Sequence, residues 1–193
     1  MTQKKIKEFY PRSTEKWREW LEENHETEKS IWLLFYKVSS DKPSLTWSEA
    51  VDEALCFGWI DSTKKSIDHE SYKQLFCQRK ENSTWSKVNK DKIKVLSQAG
   101  KIQAAGWKSI EVAKENGSWN ILDEVEALIV PKDLETEFAK FSEAKDFYLS
   151  LSKSYKKGIL SWIVMAKRIE TRQKRIQEIV ACASQGKLPK RFT

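Results

Sequence analysis

The chain has 193 residues, which is enough for one full-sized core or for a core domain followed by a helical appendage. Charged residues make up 33% of it and hydrophobic residues 39%, and its nine tryptophans exclude the composition of an intrinsically disordered protein. The net charge of +7 favours anionic partners such as phosphate, nucleic acid or an acidic membrane surface, although charge alone identifies none of them.

The cysteines and the apolar runs of the sequence indicate a cytoplasmic protein. Cys56, Cys77 and Cys182 form no C-x-x-C pair and lie in apolar sequence, which suits reduced, buried side chains. Residues 1–10 lack the apolar core of a signal peptide, and the longest uncharged apolar run, residues 159–166, is far shorter than the ~20 residues that span a bilayer. We therefore expect a cytoplasmic chain without a transmembrane segment.

The first predicted elements are an amphipathic helix and a buried strand. Trp17, Trp20 and Leu21 have the i, i+3, i+4 spacing of one buried helix face, and this helix is expected to end near Asn24. Residues 31–36 are consecutive apolar or aromatic residues, too few for a favoured helix and typical of a strand that is covered on both faces. We expect this strand at the centre of a sheet.

A helix with a complete capping signal follows the strand. Thr46 and Glu49 have the spacing at which a hydroxyl and a carboxylate satisfy free amides at a helix start. Gly58 is placed to adopt the left-handed conformation that ends the helix. The buried face of this helix is predicted to consist of Trp47, Ala50, Val51, Ala54 and Leu55.

Residues 59–67 and 72–79 predict the two arms of a β-hairpin. Glutamines and apolar residues alternate in the second arm, so we expect one face of the sheet to be partly polar and wet. The alternating residues are Gln74, Leu75, Cys77 and Gln78.

Helical patterns fill the remainder of the chain, where no strand is expected after residue 131. The predicted buried residues of the first two helices, which end at Gly100 and Gly117, are Val88, Val95, Leu96, Ala99, Ile102, Ala105, Ile110 and Ala113. Short helices are predicted from Pro131, with Leu134, Phe138 and Phe141, and around Phe147 and Tyr148. The sequence therefore predicts an α+β fold: a small antiparallel-type sheet with packed helices in residues 1–120 and an all-helical C-terminal lobe in residues 121–193.

The most informative anomaly is the basic segment AKRIETRQKR, residues 166–175. If Thr171 caps the last helix, the cations of the first turns lie at the positive end of the helix dipole, where they are disfavoured. A bound anion would compensate them; alternatively, Glu170 and acidic residues from elsewhere in the fold pair with them on a solvated surface. The candidate anion-binding residues are Lys167, Arg168, Arg172, Lys174 and Arg175.

A second polar cluster follows the hairpin. An arginine, hydroxyls and an amide near a helix start can hold an anion or a planar ligand, but the same residues ordinarily cap helices and fill turns. Asp61 either adds a polar group to this cluster or ends the preceding apolar segment and pairs with a lysine. The cluster consists of Asp61, Arg79, Ser86 and Asn89.

The sequence contains no recognised catalytic, cofactor-binding or metal-binding pattern. His25 and His69 have no ligand partners at metal-site spacing, and the G-x-S-x-G, G-x-x-x-x-G-K and G-x-G-x-x-G motifs are missing. The carboxylates of the capped helix, Glu49, Asp52 and Glu53, are interpreted as an ordinary solvated face. We therefore expect no catalytic residues, no metal and no cofactor.

Three ordered motifs resemble the bacterial YdeI/OmpD-associated family, also called bacteriocin-protection proteins. They are LTWSEAVDEALCFGWIDS at residues 45–62, QRKENSTWSKVN at 78–89 and LSWIVMAKRIETRQKRI at 160–176. Gln78 stands where the family often has a proline. The resemblance implies protection against bacteriocins or antimicrobial peptides and carries over no catalytic residues; an envelope location, sometimes described for the family, conflicts with the N-terminal sequence.

Three hypotheses follow. The first is a non-enzymatic stress-protection protein with an anion-binding basic surface. The second is a nucleic-acid-binding protein that uses the last two helices as a basic pair and exposed tryptophans as stacking platforms. The third is an enzyme that acts on a small anionic metabolite in a pocket that unites the second polar cluster.

Overall fold

A computed structural model describes residues 6–193; the first five residues of the stretch assessed above for a signal peptide lie outside the described residues. The described chain divides into two compact units, one ending at Trp119 and the other running from Asn120 to Thr193. Within the described residues, the first unit contains four strands and four helices, and the second contains five α-helices and a short 3-10 helix. The predicted α+β class with a helical C-terminal part is confirmed.

The first unit is built on one four-stranded sheet. Its strands are β1 (Glu8–Phe9), β2 (Ser30–Tyr36), β3 (Trp59–Ser66) and β4 (Ser71–Gln78), in the order β1-β2-β4-β3. β1 runs parallel to β2, and the other neighbours are antiparallel. The predicted central strand is therefore confirmed as an interior strand, whereas the two-residue β1 is too short to leave a periodic signal in the sequence.

Four helices share one core with the sheet face that carries Ile31, Leu33 and Phe35. These helices are α1 (Thr14–Asn24), α2 (Trp47–Cys56), α3 (Lys87–Gln98) and α4 (Ala104–Glu115). The predicted face of α1 is confirmed, because Trp17 and Leu21 are fully buried and the Trp17 indole donates to the Ala50 carbonyl at 3.0 Å. The core of this unit is continuous from the sheet to all four helices.

The capping signal of α2 is confirmed in both directions. The Glu49 amide donates to Thr46 Oγ1 at 3.2 Å, and the Thr46 amide donates to Glu49 Oε2 at 2.7 Å. Gly58 has the predicted left-handed conformation, with φ of +71°. The prediction for Trp47 is wrong: this first residue of the helix is 44% exposed, because its indole reaches out to donate to Asp61 Oδ2 at 3.0 Å.

Replacing Thr46 by alanine is expected to lower the free energy of unfolding of the first unit by about 1 kcal/mol, because it removes the side-chain acceptor at the helix start. Urea unfolding followed by tryptophan fluorescence measures the change. Thr46→Ser keeps the hydroxyl and is the control, with an expected stability close to that of the parent. Equal losses in the two variants would contradict this role of the hydroxyl.

The hairpin is confirmed, but its predicted wet face is wrong. Gln74 is only 4% exposed and lies on the helix-covered face of the sheet, next to Phe76. Its amide donates to Ser62 O at 2.8 Å and to Asp61 Oδ2 at 3.2 Å. The bulge between Asp61 and Lys64 frees these acceptors from regular pairing, so a polar side chain is satisfied inside the sheet core.

Burial predictions for two further helices are wrong. α3 is buried through Ile93 and Leu96, whereas Val88 is 57% exposed and Val95 is 64% exposed. Successive helix residues are rotated by about 100°, so Val95 lies roughly 200° from Ile93 around the axis. Glu53 of α2, expected on a solvated face, is instead 4% exposed and accepts from Arg18 Nη1 at 2.7 Å.

α4 packs unusually closely on the chain that leaves α2. The Gln103 amide donates to the Cys56 carbonyl at 2.9 Å. A Cβ atom built on Gly106 lies 2.3 Å from the same carbonyl oxygen, and one on Gly58 lies 2.9 Å from the Ala105 carbonyl oxygen. Two glycines therefore set the distance between α4 and the turn that connects α2 to β3.

The cysteines are free thiols in this fold. Cys56 is buried, and this burial raises the pKa of its thiol to about 11. A thiol that stays protonated near neutral pH is a poor nucleophile, so Cys56 acts as a packing residue.

The second unit is helical throughout, as predicted. Its helices are α5 (Asp123–Glu126), α6 (Lys132–Phe138), α7 (Ser142–Ser150), α8 (Lys153–Val164) and α9 (Ile169–Ala183), followed by the 3-10 helix Lys190–Phe192. Leu134, Phe138 and Tyr148 are buried in its core. Phe141, predicted to lie on the same short helix as Leu134 and Phe138, follows the end of that helix and is exposed at the N-cap position of α7. No helix within residues 6–193 is long and apolar enough to cross a membrane.

Candidate functional site

The last helix, which contains most of the basic segment, begins earlier than predicted. α9 begins at Ile169 with Arg168 as the N-cap, so Thr171 is the third helical residue and not the cap. The Arg172 amide already donates to the Arg168 carbonyl at 3.0 Å. The first turn contains the favourable Glu170, and the cations of α9 lie in later turns, where the helix dipole opposes them less.

Arg172 is neutralised within the second unit. Its Nε and Nη2 donate to the two carboxylate oxygens of Asp133 at 2.6 and 2.9 Å, a bidentate pair. This hydrogen bonding lowers the pKa of Asp133 and raises the pKa of Arg172. Of the two alternatives for Arg172, a bound anion or an ion pair within the protein, the structure contains the ion pair.

The side chains of Arg175 and Arg191 both lie next to the indole of Trp162. Arg175 donates to the Trp162 carbonyl, and its guanidinium carbon lies 5.4 Å from the centroid of the Trp162 ring. The guanidinium carbon of Arg191 lies 5.9 Å from the same ring, and Phe192 contacts it edge-on at 5.7 Å. Cation–π attraction thus offsets part of the repulsion between these two arginines.

Lys167, Arg168 and Lys174 remain exposed, and none of them forms an ion pair within the described chain. Residues 153–193 contain eleven Lys and Arg residues against two acidic ones. Of these eleven cations, only Lys157 and Arg172 form ion pairs with described residues. We call Lys167, Arg168 and Lys174 the basic surface of the second unit.

The second polar cluster is not brought together at one pocket. The Asp61 carboxylate accepts hydrogen bonds from Trp47 and Gln74, and the Ser86 hydroxyl accepts the Asn89 amide at 3.3 Å as the cap of α3. Arg79 instead stacks on Trp85, with 3.7 Å between its guanidinium carbon and the ring centroid. Of the four members, only Arg79 lines the cavity described next.

Arg79 lines a cavity of about 500 Å³ in the first unit. Its backbone amide donates to Gly58 O and its Nη1 to Thr84 O, each at 2.9 Å. Its Nε and Nη2 are buried and have no acceptor among the described residues. Burial lowers the pKa of the Arg79 guanidinium to about 10, against the opposing field of Asp61. A buried cation with two unused donors is unusual, because such groups are nearly always paired.

His25 and Lys108 also line this cavity. His25 Nδ1 lies 2.8 Å from the Leu21 carbonyl, so Nδ1 carries a proton and donates, which leaves Nε2 without a strong partner. His69 lies on the exposed hairpin turn, away from His25 in the chain. Within residues 6–193, no group of three or more His, Cys, Asp or Glu residues is arranged to hold a metal ion.

Comparison with known families divides the chain near the unit boundary. A profile described as bacteriocin-protection, YdeI or OmpD-associated matches residues 127–186, and a domain of unknown function, DUF8412, matches residues 9–109. The chain belongs to the DUF8412 family, whose model matches just over half of it, and its C-terminal part carries a YdeI/OmpD-associated region. Neither a curated protein nor a solved structure matches the chain.

The YdeI/OmpD-associated match contains the third of the three sequence motifs, at residues 160–176, and with it the basic surface. The other two motifs, at residues 45–62 and 78–89, lie in the DUF8412 domain. The recognised family is thus confirmed, and the Arg79 cavity belongs to the domain that precedes the family match.

Sequence reasoning missed the cavity and the Trp162 cluster. The cavity is lined from four separate stretches of chain, and only Arg79 among its residues was selected beforehand. Trp162 lies 13 residues before Arg175 and 29 before Arg191, so no local spacing links them. The one sequence signal for either site was the local concentration of Arg79, Ser86 and Asn89 beside a helix start.

Proposed function

We propose that the chain is a non-enzymatic bacteriocin-protection protein that binds an anionic partner through the basic surface of its second unit. The observation that carries the proposal is the charge of residues 153–193, where eleven cations meet two acidic residues and only two of the cations are ion-paired within the described chain. The family match over residues 127–186 supports the protective role.

The basic surface favours one class of partner. Lys167, Arg168 and Lys174 are exposed and keep their charge available, whereas Arg172 is already bound to Asp133. Such a surface attracts phosphate, nucleic acid or an acidic surface and repels a cationic peptide. Protection by direct capture of a cationic bacteriocin on this surface is therefore electrostatically disfavoured.

Reversing all three charges, as Lys167→Glu/Arg168→Glu/Lys174→Glu, is expected to weaken binding to heparin, a polyanion, and to reduce survival of cells challenged with bacteriocin. The slope of log affinity against log salt should fall in magnitude by about 2–3, since each lost cation–anion contact contributes roughly 0.7–0.9. Affinity measured over a salt series gives the slope, and a survival assay gives the protection.

The matched control is Lys132→Glu/Lys145→Glu/Lys153→Glu, which makes the same change in net charge elsewhere on the second unit. Asp133→Asn adds a second control: it releases Arg172 and is expected to strengthen heparin binding. If the basic-surface variant folds normally and both binds heparin and protects cells as well as the parent does, the proposal is wrong.

Nucleic-acid binding is the second candidate. The observation in its favour is the Trp162 ring, which is half-buried beside Arg175 and Arg191 on the most basic part of the chain. The two most exposed tryptophans among the described residues, Trp47 and Trp107, lie in the first unit and not on this surface. Lack of binding to single-stranded and duplex DNA at low ionic strength would eliminate this candidate.

A further inference from the structure

The guanidinium of Arg79, in the first unit, has two nitrogen donors that form no hydrogen bond with the described chain. Arg79 Nη1 donates a hydrogen bond to the Thr84 carbonyl at 2.9 Å, while Nε and Nη2 are buried and have no acceptor in the described chain. Nε and Nη2 form one edge of the planar guanidinium, and their N–H bonds are nearly parallel. This edge matches the two oxygens of a carboxylate or phosphate group.

The backbone and one face of Arg79 are held by their surroundings. The backbone amide of Arg79 is tied to the Gly58 carbonyl, and Trp85, which is almost completely buried, supports one face of the guanidinium at 3.7 Å. The neighbouring Gln78 side chain is held by the His25 carbonyl at 2.8 Å.

No protein carboxylate neutralises Arg79 among the described residues. The charge of Asp61 acts on Arg79, but Asp61 Oδ2 accepts its hydrogen bonds from Trp47 and Gln74. Glu26 and Glu81 line the cavity, but both are exposed, and neither makes a salt bridge with Arg79. A second cation, Lys108, lines the same cavity. Lys108 is exposed, like the two acids, so Arg79 is the charged lining residue that is withdrawn from solvent.

The cavity also offers apolar walls. Phe57, Ala105 and Val112 line it beside the cations, and its volume of about 500 Å³ is within the range of pockets that hold small molecules. A free inorganic ion would leave most of this space empty. The combination suits a molecule with one anionic head and an apolar or aromatic body.

We propose that this cavity binds a small amphipathic oxyanion, whose carboxylate or phosphate group accepts hydrogen bonds from Arg79 Nε and Nη2 while its apolar body packs on Phe57 and Val112. The proposal includes a rotation about the terminal torsions of Arg79, which exchanges the hydrogen bond to the Thr84 carbonyl for those to the anion and turns the unused edge to the cavity. This site lies in the DUF8412 domain and is independent of the basic surface in the second unit.

Calorimetric titration of the full chain with benzoate, phenyl phosphate and inorganic phosphate tests the proposal. Benzoate or phenyl phosphate is expected to bind, and inorganic phosphate, which lacks the apolar body, is expected to bind at least tenfold more weakly than phenyl phosphate. The stronger of the two aromatic probes identifies the head group. If neither aromatic probe binds up to its solubility limit, the proposal is overturned.

Arg79→Met keeps the apolar stem and removes the donors, so it is expected to weaken binding of the aromatic probe at least tenfold. Its thermal midpoint without ligand should equal or exceed that of the parent, because a buried unpaired charge is removed. Lys94→Met, which removes an exposed lysine of α3, is the matched control and should leave binding unchanged.

Arg79→Lys keeps the charge but not the paired donors, and it is expected to bind more weakly than the parent and more tightly than Arg79→Met. This second variant keeps the test decisive if Arg79→Met does not fold. Unchanged binding in a folded Arg79→Lys and Arg79→Met pair, or a lower thermal midpoint in both with unchanged binding, would show that Arg79 is a structural residue.

Discussion

Replacing Gly106 by alanine is expected to lower the free energy of unfolding of the first unit by about 1–3 kcal/mol. The new Cβ would lie 2.3 Å from the Cys56 carbonyl oxygen and 2.9 Å from its carbon, and both belong to backbone that cannot rotate away. Overpacking a rigid site costs about 1–3 kcal/mol. Separation of α4 from the turn also breaks the Gln103–Cys56 hydrogen bond, at a further cost of about 1 kcal/mol.

Helix propensity alone would predict that Gly106→Ala raises the free energy of unfolding, which is the opposite of the expected effect. Alanine is better than glycine inside a helix by roughly 1 kcal/mol, so only the close approach makes the substitution harmful. Gly158→Ala in α8 is the matched control: its Cβ would meet only the Phe192 side chain, at 3.2 Å, which can move.

Urea unfolding followed by circular dichroism and tryptophan fluorescence compares the two variants. Gly158→Ala is expected to be neutral or slightly stabilising. A Gly106→Ala variant as stable as the parent would mean that α4 can move off the turn without loss.

Features with a local cause were predicted well from the sequence. The capping box of α2, the left-handed Gly58 and the strand at residues 31–36 each depend on residues within one turn or one strand, so their physical chemistry is present in a short stretch. The helical second unit was predicted for the same reason.

Features that depend on tertiary contacts were not predicted. Asp133 and Arg172 are 39 residues apart, and nothing in the spacing of either indicates the bidentate pair that neutralises this part of the basic segment. Gln74 carries a polar side chain into the sheet core, where acceptors at a β-bulge satisfy it. Polarity in the sequence predicts exposure only when no buried partner exists, and partners come from the fold.

The candidate sites show the same division. The basic segment was visible as a run of like charges, but the pairing of Arg172 with Asp133 depends on the fold. The Arg79 cavity lies between α4 and the segments that follow α1, α2 and β4, and only its arginine was a candidate site residue from the sequence. A binding site assembled from four elements has no contiguous motif, so its residues are recognised by an unsatisfied donor and not by a pattern.

Replacing Arg18 by methionine is expected to lower the free energy of unfolding by about 3 kcal/mol, because it leaves the buried carboxylate of Glu53 without its cation. Glu53 is 4% exposed, and its Oε2 accepts from Arg18 Nη1 at 2.7 Å. Methionine keeps an unbranched stem against Phe57, over which the Arg18 guanidinium lies at 5.3 Å. The measured loss therefore reports mainly the unpaired charge and less the lost packing.

Substitution of Glu53 distinguishes the effect of losing the ion pair from the effect of leaving a buried charge. Glu53→Gln removes the charge and keeps an acceptor, and Arg18 still has Glu22 at 3.1 Å near the surface, so its expected cost is only about 1 kcal/mol. In Arg18→Met/Glu53→Gln, no buried charge remains, and the double variant should be more stable than Arg18→Met alone. Chemical unfolding of all four proteins gives the coupling energy between the two residues. Additive losses would show that the Glu53 carboxylate finds another partner or water, and that Arg18 stabilises the first unit through its packing on Phe57 alone.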